Sequence, residues 1–188
     1  VNREQADQLL REYTKDDSLI KHALAVEAAM RHYARVRGAD EEQWGAVGLL
    51  HDFDYERYPQ PPDHTRRGAE ILRAAGVDEE IVGAMLSHAE WNRDEYPLDR
   101  PLRKTLFAVD ELCGFIIAVA LVRPNRLEGM EPKSVRKKMK DKRFAAAVSR
   151  EDITKGAELL ELDLNEHIGH CITALQSIAD QLGLVAEA

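Results

Sequence analysis

"LFAVDELCGFIIAVALV", residues 106–122, is the stretch on which the fold turns. Its apolar character invites the reading of a membrane span. A spanning helix needs about 20 predominantly apolar residues with few or no charges. This run has 17 residues and contains Asp110 and Glu111. It reads instead as a central helix in the core of a soluble protein. At helical spacing Asp110 shares a face with Leu106, Cys113, Gly114 and Ile117. An ionised carboxylate on such a face is costly unless it is paired or bound to a metal. No Lys or Arg lies one turn away on that face. The compensating charge has to come from elsewhere.

Outward from this helix, apolar residues recur at helical spacing along most of the chain. The spacing predicts helices over 2–13, 18–36, 40–52, 65–76, 78–91 and 102–122, then near 133–141, 151–160 and 164–182. Asp16 or Asp17, Asp40 and Asp78 stand where N-caps belong, and Gln43 completes a capping-box pattern with Asp40. Gly38 and Gly76 follow helix ends. A Pro-rich loop covers "YPQPPDH" (58–64). No pair of alternating runs reads as a hairpin. The expected fold class is all-α: a compact multi-helix arrangement, with residues 1–188 forming one domain.

The chain has 188 residues and a net charge of −8, which argues against nonspecific nucleic-acid binding by the whole surface. Cys113 and Cys171 match no metal-knuckle spacing and read as reduced core thiols. With a polar N-terminal segment and no secretory pattern, the expected location is cytoplasmic. Charge is uneven. Residues 123–143 carry nine Lys/Arg against three acids, +6 locally, leaving −14 for the rest. That run is either a solvated helix face or an electropositive rim for an anionic substrate.

Three imidazoles repeat the problem posed by Asp110. His22 lies with Leu19, Val26 and Ala29; His51 with Trp44, Val47 and Gly48; His88 with Ile81, Ala84 and Met85. Each alone reads as a hydrogen-bonded core histidine. Together with Asp110 they point to a divalent cation, since imidazole and carboxylate are its ligands where no thiolate is offered. Gly48 and Gly114, on the same faces, would let helices approach closely around an ion or simply pack tightly. His32 matches no ligand position, and His167 and His170, at i, i+3 spacing that could grip a metal, have no carboxylate beside them on a core face.

His22, the pair His51-Asp52, and Asp110 resemble the ordered His…His-Asp…Asp signature of the HD superfamily of metal-dependent phosphohydrolases. The intervals are 29 residues from His22 to His51 and 58 from Asp52 to Asp110. "LLHDFDYERYP", "AVDEL" and "ALVRP" resemble a stand-alone prokaryotic family of HD hydrolases. The resemblance implies an HD core over about 18–122 and a helical extension over about 123–188. It implies His22, His51, Asp52 and Asp110 around a first ion. His64 and His88 would hold a second, with Asp52 bridging. The ions would be two divalent metals, drawn from Mn, Fe, Mg, Ni, Co or Zn. Some HD enzymes follow the His-Asp pair with a small residue, Gly and Lys, the Lys holding phosphate. Here Phe53-Asp54-Tyr55-Glu56 follows, with no cation before Arg57. Lys21, Arg66, Arg67, Arg123 or the 133–143 segment could substitute, Arg66 first because it lies two residues from His64. Asp54 could orient an imidazole or act as a general acid, with Asp52 and Arg66 completing the expected catalytic set.

The expected activity is hydrolysis of a small phosphomonoester or nucleotide by metal-activated water. No P-loop, dinucleotide fingerprint or nucleophile elbow competes with it. The same six ligands would suit a mixed-valent di-iron oxygenase. A noncatalytic nucleotide-binding module is the third reading. Neither a membrane nor a nucleic acid is an expected partner.

Overall fold

The computed structural model describes residues 1–186. Its helices are α1 (Arg3–Tyr13), α2 (Asp17–Arg37), α3 (Glu41–Leu50), α4 (Asp63–Ala74), α5 (Glu79–His88), α6 (Pro101–Leu121), α7 (Pro132–Met139), α8 (Arg150–Leu159), α9 (Leu164–Gln176) and α10 (Ala179–Leu182), with a 3-10 turn at Glu90–Asn92. No strand occurs among the described residues, so the fold is all-α.

The helix starts are set by side chains that take up the free N–H groups of the first turn. Asp16 accepts from Ser18 and Leu19, Asp40 from Gln43, and Asp78 from Glu80. The reciprocal Gln43 bond expected at Asp40 is not made; the complete capping box is at Asn2 and Gln5. Gly38 and Gly76 adopt φ of 65° and 71°, the left-handed region that glycine enters freely. Several predicted helices end early. The 40–52 helix stops at Leu50, the 78–91 helix at His88, and the 164–182 helix breaks after Gln176. The breaks at Leu50 and His88 fall at histidines.

α6 is the central helix. It is buried along most of its length between α2, α5, α8 and α9. No helix among the described residues is long and apolar enough to cross a membrane. α2 packs most extensively on α3, and Gly48 makes that approach possible: a Cβ there would lie 2.6 Å from the Cα of Glu27. Gly156 does the same for α6 and α8 against Ala108. Gly114 does not belong to this set. A Cβ there would meet only His22 Nδ1, at 3.9 Å.

Three histidines off the site pattern knit the C-terminal helices to the core. His167 is fully buried. Its Nε2 donates to the Ala108 carbonyl at 2.8 Å, and its Nδ1 accepts from Tyr33 at 2.6 Å. Burial, which outweighs the Ala108 hydrogen bond, lowers its pKa to about 4 and keeps it neutral. His32 and His170 meet at 2.8 Å. Cys113 and Cys171 are both buried and unbridged.

Candidate metal centre

Helix ends carry most of the site. The last carbonyls of a helix have no N–H from the next turn. His51, immediately after α3, uses one of them: its Nδ1 donates to the Gly48 carbonyl at 2.8 Å. His88, the last residue of α5, repeats the bond with the Met85 carbonyl at 2.6 Å. Each bond fixes the tautomer and turns Nε2 inward. The chain then leaves the helix, and in α3 this brings Asp52 to the opening. Helices therefore stop at these histidines because the imidazole takes the place of the next turn.

His64 is held differently. Its backbone is extended (φ −53°, ψ 133°) and Thr65 has φ 68°, so regular helix in α4 begins only beyond them. Asp54 organises this turn. Its carboxylate, wholly buried, accepts from His64 Nδ1 at 3.0 Å, Thr65 N at 2.8 Å and Gly68 N at 2.9 Å. It thereby orients His64 and caps α4 from outside, with its negative charge at the helix N-terminus. Gly68 leaves room for it, since a Cβ there would lie 2.7 Å from Asp54 Oδ2. Asn92 ties the same turn to α5 by donating to Thr65 Oγ1 at 2.8 Å and to the Leu86 carbonyl at 3.0 Å.

The donors converge in two groups that share Asp52. His22, His51, Asp52 and Asp110 form one; Asp52, His64 and His88 form the other. Within each group the potential ligand atoms lie within 4.8 Å of one another. His22 Nε2 is 3.0 Å from Asp110 Oδ1 and 3.2 Å from His51 Nε2. Asp52 Oδ1 is 3.1 Å from His88 Nε2 and 3.2 Å from His64 Nε2. His51 forms the closed floor, while His22, Asp52, His64, His88 and Asp110 open onto a cavity of about 690 Å³.

The charge balance of this cluster matches its chemistry. Burial opposes ionisation of Asp52 and Asp110. The charge of His51 and hydrogen bonds from the neighbouring imidazoles overcome that and hold both carboxyls well below the usual range. Burial likewise opposes protonation of His51, His64 and His88, yet Asp52, Asp54 and Asp110 raise all three, His64 to about 9. Protons on imidazoles thus supply the positive charge that Asp110 requires. Divalent ions can replace them: the donors are four imidazoles and two carboxylates with no thiolate, a set suited to such ions. Three of the imidazoles already point a fixed Nε2 at the shared space.

The structure brings together all six residues expected as ligands. It leaves the others apart. Asp54 does not line the cavity and has its oxygens engaged on His64, Thr65 and Gly68, so the general-acid alternative has no path to a substrate. Arg66 is half-buried and pairs with Glu95 at 2.9 Å, outside the cavity. Its two-residue separation from His64 is undone by the turn at Thr65, which sends the helix away. Lys21 pairs with Asp17, Arg67 with Glu70, and Arg123 donates to the carbonyls of Arg126 and Glu128. None of the nine Lys/Arg in 123–143 lines this cavity; Lys133, Arg136, Lys137 and Lys140 line a separate depression beside α7. The solvated-face reading of that segment, not the rim, agrees with the structure. The residues missed from sequence are Asn92, Arg93 and Lys155, which no spacing rule singles out because each acts from a different element.

A model of the HD domain matches residues 19–137, from just before His22 to beyond Asp110. No solved structure matches the chain. The match spans more than half of the protein and encloses the whole donor set, and the chain therefore belongs to the HD domain family, most of whose members are metal-dependent hydrolases.

Proposed function

We propose that this protein is a metal-dependent phosphohydrolase acting on a small phosphomonoester or nucleotide. One observation carries the reading: two groups of ligand atoms share the carboxylate of Asp52 and open together onto one cavity. Two-ion sites of that kind suit in-line displacement at phosphorus. Divalent ions, when bound, would supply Lewis acidity toward a phosphoryl oxygen and make a water acidic enough to attack near neutral pH.

The residues of the chain have distinct parts in this scheme. His22, His51 and Asp110 would hold one ion and His64 and His88 the other, with Asp52 common to both. Asp54 keeps His64 in register and touches no substrate. Asp52 and Asp110 stay ionised at neutral pH, so they act as ligands and not as proton donors. Phe107, Tyr55 and Trp91 line the cavity and limit the water around a bound ester.

The test is phosphate release from a panel of phosphomonoesters and nucleotides by metal-replete protein, with Asp52→Ala and Asp110→Ala alongside. Release that both substitutions abolish supports the reading, and release that survives both contradicts it. Turnover in Mn²⁺ or Mg²⁺ under anaerobic conditions separates hydrolysis from the di-iron oxygenase alternative, which needs oxygen.

A further inference from the structure

The cavity contains two cationic side chains that the ligand pattern does not use. Arg93 and Lys155 are the Lys and Arg residues that line it among the described residues. They come from different parts of the chain, Arg93 just after the 3-10 turn and Lys155 from α8. Both lie over the ring of Phe107, the Arg93 guanidinium carbon at 5.0 Å from its centroid and the Lys155 Nζ at 5.7 Å.

Neither cation is neutralised. Arg93 forms no ion pair among the described residues. Its Nη2 donates to the His88 carbonyl at 2.9 Å and its Nε is 3.3 Å from the Ser87 carbonyl. Those bonds fix the guanidinium on the backbone of a candidate ligand and leave Nη1 without a partner. Lys155 forms no hydrogen bond or ion pair among the described residues, although Glu151 and Asp152 lie one turn before it. Of the cations considered from sequence, Lys21, Arg66, Arg67 and Arg123 have acceptors elsewhere, and those of 133–143 do not line this cavity. A fixed, unpaired guanidinium beside a dinuclear site is a fork that matches phosphoryl oxygens.

We propose that Arg93 and Lys155 form the anion-binding arm of the cavity, taking non-bridging oxygens of the phosphoryl group of a phosphomonoester. This rests on the phosphohydrolase reading and names the cations it lacks. The remaining charged walls favour a single phosphate. Glu90, Glu111, Glu151 and Asp152 also line the cavity, so a longer polyphosphate would meet acids beyond the two cations.

The test is calorimetric titration of Mn²⁺-loaded protein with inorganic phosphate, with bound Mn²⁺ measured on the same samples. Lys155→Gln is the cleaner variant, because Lys155 holds no structural bond. Arg93→Lys keeps the charge and removes the fork. Each is expected to weaken phosphate binding roughly tenfold, by loss of a charge-assisted hydrogen bond, with Mn²⁺ content unchanged. Wild-type binding that both variants retain at full strength overturns the arm and leaves the phosphohydrolase reading standing. Metal-loaded wild-type protein that takes up no phosphate overturns the arm together with that reading.

Discussion

Asp54 shows at the scale of one residue how the site is held. Three donors converge on it in a place closed to water. Asp54→Ala leaves all three without an acceptor, a loss of about 3 kcal/mol or more. Chemical denaturation is expected to show that loss, and metal analysis to show depletion of the His64–His88 position with the His22–Asp110 position retained. Full occupancy of both positions in this variant would refute the orienting role. His64 gives a second expectation. In the metal-free protein its pKa is about 9 against an ordinary 6.5, so protonation favours the folded state. That contribution, on the order of 3 kcal/mol, is present in full below pH 6.5 and fades as pH rises through 9. The melting temperature of metal-free protein should fall across that window, and His64→Gln should lessen the fall, leaving the part due to His51 and His88, whose pKa values are also raised. A flat profile in the wild type would show that His64 is not charged in the folded protein.

At the scale of elements, two glycines that look alike in sequence separate. Gly48 and Gly114 each share a face with a candidate ligand, and sequence allowed close packing at both. The structure assigns it to Gly48, where α2 and α3 touch backbone to backbone, while Gly114 borders open space. Gly48→Ala is expected to destabilise by about 3 kcal/mol in thermal or chemical unfolding, and Gly114→Ala by less than about 1 kcal/mol. Equal effects would show that the α2–α3 contact can relax. Most elements were legible because apolar spacing and capping residues mark them: Asp16, Asp40 and Asp78 each cap the helix expected. The ends at Leu50 and His88 were not legible. A histidine that bonds back to its own helix continues the apolar periodicity while ending the hydrogen-bond ladder.

Across the whole molecule, the donors come from segments as far apart as residues 22 and 110, and only the packed bundle joins them. Four candidate ligands, His22, His51, His88 and Asp110, could be read from sequence because a polar side chain on an apolar helical face is conspicuous; Asp52 and His64 came only with the family resemblance. The turn at Thr65, the cap provided by Asp54 and the cations Arg93 and Lys155 could not be read, since they depend on how loops and helices meet in space. A site assembled by folding also stabilises the fold when filled. A divalent ion at 100 times its dissociation constant adds about 2.7 kcal/mol. The melting temperature is expected to rise with Mn²⁺ in the wild type and not in Asp52→Ala, which loses the shared ligand; an equal rise in both would place binding elsewhere.

The proposed chemistry needs two ions meeting at Asp52, and metal stoichiometry measures that most directly. Elemental analysis of metal-reconstituted protein is expected to give about two divalent ions per chain, about one in His88→Ala and none in Asp52→Ala. A wild-type content that neither substitution changes would contradict it.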